Sequence, residues 1–247
     1  MEILRIVSIT SLILSGICTL IILVDILAGH KQKMPIMSWV WPITAIWSGP
    51  AGLSAYFRFG RMKASDGQDR HSQKSGKSGG GQEDHGGEKS KEELEKKAGK
   101  PFWQITTAGT LHCASGCTLG DFVGEWIVFF TGLVIAGSVL WSDYLLDFTL
   151  AYTVGIVFQY FGIAPMRGLS GWPGILAAIK ADTVSLVAFE VGMFAWMAFT
   201  REVLFKPPLK PTDPAYWFMM QVAMAVGFLT SYPANWWLIR KGIKEAM

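Results

Sequence analysis

Long apolar runs decide what this chain can fold into. Ile6 to Ala28 is 23 residues carrying one formal charge, and a helix needs only about 20 apolar residues to cross the hydrocarbon core of a bilayer. Backbone polar groups inside lipid must be satisfied within the chain, so such runs become helices. Six are clear: Arg5 to Ala28, Pro35 to Phe59, Phe122 to Trp141, Leu145 to Ala164, Thr183 to Phe205 and Tyr216 to Ile239. Pro42 and Pro50 are expected to kink the second. The first exceeds the roughly 7–15 residues of a signal-peptide core and reads as an uncleaved helix. Phe102 to Gly120 has no formal charge and many small residues. It reads as a membrane-embedded or interfacial helix, or as the polar start of a long spanning helix. Met166 to Lys180, with three glycines and Pro173, reads as an interfacial connection. The expected fold is therefore all-α, a polytopic helical membrane bundle of six transmembrane helices, or seven if 102–120 crosses.

Charge is confined. Residues 58–100 hold 11 of the 22 Lys and Arg and 8 of the 19 Asp and Glu, an excess equal to the whole net charge of +3. The basic balance thus belongs to one hydrophilic loop and does not indicate nucleic-acid binding. Three units follow: a two-helix membrane segment at 1–59, a hydrophilic loop at 60–100 expected to be disordered, and a membrane domain at 101–247. Within the loop, i,i+4 pairs Glu92–Lys96 and Glu93–Lys97 favour a short helix over Glu88 to Lys97, and His71 and His85 read as solvated linker residues. With six spans, the positive-inside rule puts the loop, Arg240, Lys241 and Lys244 in the cytoplasm. Arg167 and Lys180 also fall inside; Lys31 and Lys33 fall outside, as do Arg201, Lys206 and Lys210, which are an outer excess, and a seventh crossing would exchange the sides of that group and of the C-terminus.

The chemistry concentrates at His112-Cys113-Ala114-Ser115-Gly116-Cys117, which holds two of three cysteines and one of four histidines. On a helix Cys113 and Cys117 share a face, so both sulfurs can reach one soft ion, and thiolates suit Cu(I) or zinc. His112 points about 100° away in a regular helix and joins only if the helix begins or unwinds there. Read blandly, Gly109, Cys113, Cys117, Gly120 and Gly124 form a close-packing face. As a disulfide, the pair would need a strained or unwound helix. Glu190 is a carboxylate inside a span, a functional hypothesis by default. Met193 and Met197 follow on its face as soft ligands, or as flexible core filler. Their spacing resembles the methionine pair of copper-uptake channels. Asp121 and Glu125 lie one turn apart after the cysteines, while Asp143, Asp147 and Asp182 fall at expected span ends. No Walker-type phosphate loop is present.

Three further segments, Phe158-Gln159-Tyr160-Phe161, Ala164-Pro165-Met166-Arg167-Gly168-Leu169 and Trp217 through Trp237, accompany the HCASGC run. Together they resemble an uncharacterised bacterial membrane family, domain of unknown function 4396, over about residues 102–247. The resemblance implies a helical membrane domain of a bacterial inner membrane and assigns no reaction. The functional expectation is an integral membrane protein, not clearly an enzyme, that binds or moves a soft metal ion, foremost Cu(I). His112, Cys113 and Cys117 would capture the ion, and Glu190, Met193 and Met197 would relay it. A thiol–disulfide electron carrier using Cys113 and Cys117, or a non-catalytic scaffold, are the alternatives. The expected partners are the lipid bilayer and a second copy or membrane-complex subunit.

Overall fold

The computed structural model describes residues 2–30, 32, 34–61, 90–135 and 137–244. His71, His85 and most of the long hydrophilic loop lie outside the described residues. Seven helices follow in order: α1 Glu2–Leu27, α2 Met37–Ala55, α3 Lys91–Ala98, α4 Phe102–Thr131, α5 Val139–Arg167, α6 Gly171–Phe199 and α7 Pro214–Arg240. Wider π-type turns prolong α2 through Tyr56–Gly60 and α6 through Thr200–Leu204. No named strand occurs among the described residues.

The second apolar run does not extend in one direction. Residues 41 and 56 would lie about 22 Å apart along a straight helix, yet the Trp41 and Tyr56 ring centroids are 5.6 Å apart. Trp41 also meets Phe59 at 5.7 Å. A Cβ placed on Gly52 would stand 3.5 Å from Ala45 Cα. The chain therefore doubles back, and it does so at Gly49, whose φ of 51° and ψ of −126° interrupt the helical backbone. A side chain is strained at that φ, so glycine fits the corner. Pro50 then opens the returning arm, where its missing N–H is harmless. The expected crossing at 35–59 is thus corrected to a helical hairpin. The returning foot lies beside the end of α1: Tyr56 donates to Asp25 at 2.7 Å, and Arg61 grips the same carboxylate at 2.8 Å.

Boundaries in the second half also shift. Phe102–Thr131 is one helix, so 102–120 is the start of a long element and not a separate crossing. It stops at Gly132, which adopts φ 64° and donates to Val128 O, so the expected span Phe122 to Trp141 is broken there. Residues 171–180, expected as a connection, open α6. Pro173 sits in the first turn, where no N–H is required of it. Ser90 caps α3 by accepting from the Glu93 amide at 3.2 Å.

α4 packs antiparallel on α5 through Gly116, Gly120 and Gly124, which lie against Gly155, Ala151 and Asp147. Small residues let the two backbones approach closely. α6 and α7 complete a four-helix body. α1 and the hairpin join it through Gln221, which accepts from Ser11 at 2.7 Å and donates to Ser15 at 3.0 Å and to Ile46 O at 2.8 Å. Polarity is inverted relative to a protein in water: Ile3, Leu20, Val24, Leu145, Phe161, Val191 and Leu229 are exposed, whereas His112, Asp121, Asp147, Asp182 and Glu190 are buried. That arrangement suits a lipid surround. Among the described residues three helical stretches, Glu2–Leu27, Val139–Ile163 and Gly171–Leu204, are long and apolar enough to cross a membrane.

Candidate functional site

Along α4, Cys113, Cys117, Asp121 and Glu125 recur every four residues, so they form one stripe on an unbroken helix. All four are buried. The two thiols stand one turn apart on the same face of α4, and Cys117 lies within electrostatic reach of the Glu190 carboxylate from α6. Around them lie Met193, Met197, Met220 and Met224 in a single core with Cys113 and Cys117. Thr118 Oγ1 donates to Met224 Sδ at 3.8 Å. Five of the six residues singled out from sequence, namely Cys113, Cys117, Glu190, Met193 and Met197, are therefore gathered in one place.

The stripe continues towards one end of the bundle as carboxylates. Asp121 lies within electrostatic reach of Glu190, Asp147 and Glu125. Glu125 lies within electrostatic reach of Asp143 and Arg201, and of Asp147 and Tyr216. Beyond them a cavity of about 430 Å³ opens, lined by Glu125, Asp143, Tyr144, Met197, Arg201 and Tyr216. Arg201 pairs with Asp143 at 3.3 Å at its wall. Neither oxygen of Asp121 or of Glu190 meets a strong hydrogen-bond donor. Buried carboxylates without donors are costly, and a row of them ending at a cavity is an arrangement that favours a positive charge.

His112 is not part of this core. It points away from Cys113, as the 100° step per residue requires, and stands edge-on to Phe158 with ring centroids 6.1 Å apart. The motif neither begins nor unwinds a helix, so the geometry that would bring the imidazole to the thiols does not arise. The bland packing face is also redistributed. Gly116, Gly120 and Gly124 face α5, Gly109 faces Ile239 of α7, and the cysteines face the methionines. Among the described residues no group of three or more His, Cys, Asp and Glu side chains is arranged to hold a metal ion. A soft ion here would have the two thiols and the neighbouring thioethers as donors. All three cysteines are free.

Residues 102–244, more than half of the chain, match the family described as Domain of unknown function (DUF4396). The chain belongs to the DUF4396 family. The DUF4396 region contains the whole thiol–methionine core and the carboxylate row, whereas α1, the hairpin and α3 precede it. No curated protein and no solved structure matches the chain. Three buried polar side chains in the DUF4396 region escaped the sequence reading in different ways. Asp147 and Asp182, expected at span ends, lie inside α5 and α6, and Lys244, expected beyond the last span on the cytoplasmic side, is buried. The four-residue repeat Cys113-Cys117-Asp121-Glu125 was the available signal for the α4 stripe.

Proposed function

We propose that this protein carries a soft monovalent cation, Cu(I), across the bacterial inner membrane. The observation that carries the reading is the shared core of Cys113, Cys117, Met193, Met197, Met220 and Met224 beside Glu190. Thiolate and thioether sulfur select Cu(I) over hard cations. A Cu(I) ion held by two thiolates can take a third donor, and Met193 in the same core is better placed for that than His112, which faces Phe158. Glu125, Asp147 and Asp121 attract the cation from the cavity, and Glu190 offsets its charge at the sulfurs. The path then needs no energy source within the chain beyond the gradient of the ion.

In this reading α1, α4, α5, α6 and α7 cross the bilayer and the α2 hairpin enters and leaves on one side. The chain then crosses five times in place of the six or seven expected from its apolar runs. Arg61, Lys100, Arg240 and Lys241 then share the cytoplasmic side with the hydrophilic loop, and Arg201, Lys206 and Lys210 share the other with the cavity. Residues 1–59 form an added membrane unit on the domain 101–247. A thiol–disulfide carrier would use the same two free cysteines, and their position one turn apart on one face of α4 is what favours it.

Protein purified from copper-supplemented cells without chelator should hold stoichiometric Cu(I), and Cys113→Ser/Cys117→Ser should lose it. Proteoliposomes should take up Cu(I) in the wild type and fail to do so in the double variant. Absence of bound copper together with unchanged Cu(I) affinity in the double variant would defeat the proposal. A mixed disulfide trapped at either cysteine would select the redox role instead.

A further inference from the structure

At the end of the bundle opposite the cavity, the side chains of Lys244 and Asp182 are both fully buried and paired at 2.8 Å. The segment after α7 folds back, with the Ile243 and Lys244 amides both donating to Leu238 O, and this inserts the ammonium between helices. Around it, several buried polar atoms have no partner: Asp182 Oδ2, Asn235 Oδ1, both nitrogens of His112 and both amide atoms of Gln159. They converge. A Cβ on Gly109 would meet Asn235 Oδ1 and Lys244 Cε, each at 3.9 Å, and one on Gly155 would meet Asp182 Oδ2 at 3.5 Å. His112 is within electrostatic reach of both Lys244 and Asp182. The α4–α5 register that sets Gly116 on Gly155 and Gly120 on Ala151 sets His112 opposite Gln159 one turn further on. Asn235 turns its oxygen inward because its nitrogen is spent on Ser185 and Ser231, at 2.6 and 2.9 Å.

We propose that this buried polar cluster is a binding site for a hard monovalent cation of the sodium class, and that the Lys244 ammonium is its tethered occupant. Oxygen donors from one carboxylate and two amides match a hard ion and not a soft one. The charge is also matched, because one carboxylate balances one ammonium or one alkali ion, and displacement of Lys244 into water exchanges like for like. Unpartnered buried acceptors ordinarily cost stability, and an incoming ion satisfies those that the single ammonium leaves open. The site is separate from the sulfur core, and its occupancy does not depend on whether copper binds there.

The test uses the full chain in detergent. Lys244→Met keeps the bulk of the side chain and removes the competing charge. Its unfolding temperature should rise with sodium chloride relative to choline chloride at equal ionic strength, with an apparent sodium affinity at least about tenfold above that of the wild type. Asp182→Asn in that background should abolish the response. Identical behaviour of Lys244→Met in sodium, lithium, potassium and choline overturns the proposal. Should Lys244→Met not fold, the wild type decides. Sodium must speed modification of the Lys244 amine by a membrane-permeant reagent relative to choline, and equal rates overturn the proposal.

Discussion

Replacing Gly49 by alanine tests the reversal that makes α2 a hairpin. The backbone there has φ 51° and ψ −126°, a region that costs a residue with a side chain about 1–3 kcal/mol. The new Cβ would also sit 2.9 Å from Ser15 Oγ, closer than such atoms approach, and that hydroxyl must move. Ser15 accepts a hydrogen bond from Gln221 at 3.0 Å, and losing a bond of this kind within a membrane costs about 0.6 and at most about 1.7 kcal/mol. The expected destabilisation is therefore about 2–4 kcal/mol, divided between backbone and contact. Equilibrium unfolding in detergent, with Ser15→Ala as the second edge of a double-mutant cycle, separates the two. In the Ser15→Ala background the contact is already gone, so the cost of Gly49→Ala should fall by about 1 kcal/mol without vanishing. If Gly49→Ala is neutral in both backgrounds, the chain does not reverse at this residue and the hairpin is wrong. Complete rescue by Ser15→Ala would refute the backbone part alone.

Gly120→Ala should destabilise by about 1–3 kcal/mol through overpacking, since its Cβ would strike backbone atoms of Ala151 and Leu150. Gly16→Ala on α1, with open space around it, should instead gain up to about 1 kcal/mol, and thermal unfolding compares the two. Gln221→Leu removes three hydrogen bonds to α1 and the hairpin; it should cost about 1–3 kcal/mol and make α1 more susceptible to proteolysis. Ser90→Ala should weaken α3 by about 1 kcal/mol, read as faster amide exchange over residues 91–98. Glu190→Gln removes a buried charge that lacks a strong donor. It should leave unfolding temperature unchanged or higher while slowing Cu(I) uptake, and a large loss of stability would mean that the carboxylate is paired.

Helical content was legible because apolar runs leave the backbone no other solution in lipid. Direction was not. Pro35 to Phe59 is long and apolar enough to read as a crossing, and its reversal rests on one glycine conformation that composition does not announce. Gly132 was equally quiet, since Phe129, Phe130, Leu133 and Val134 keep hydropathy high across the break. Gly171, Pro173 and Gly174 pulled the other way, towards a loop, although proline in a first turn belongs to the helix. At the site, the cysteine stripe and the Glu190–Met193–Met197 face followed directly from helical spacing, as did the divergence of His112. Lys244 was out of reach, because its burial is set by a fold-back after α7 that brings together residues 62 positions apart.

The Gln221 amide ties the fate of the leading helices to the domain behind them. All three of its bonds end on α1 or the hairpin, which precede the DUF4396 match. A relative that dispensed with those helices would turn a bare carboxamide towards hydrocarbon. It would have to carry a greasy residue at that position or borrow a polar neighbour from another polypeptide, so the identity of this one side chain should report whether a given member travels with its own leading segment or docks onto someone else's.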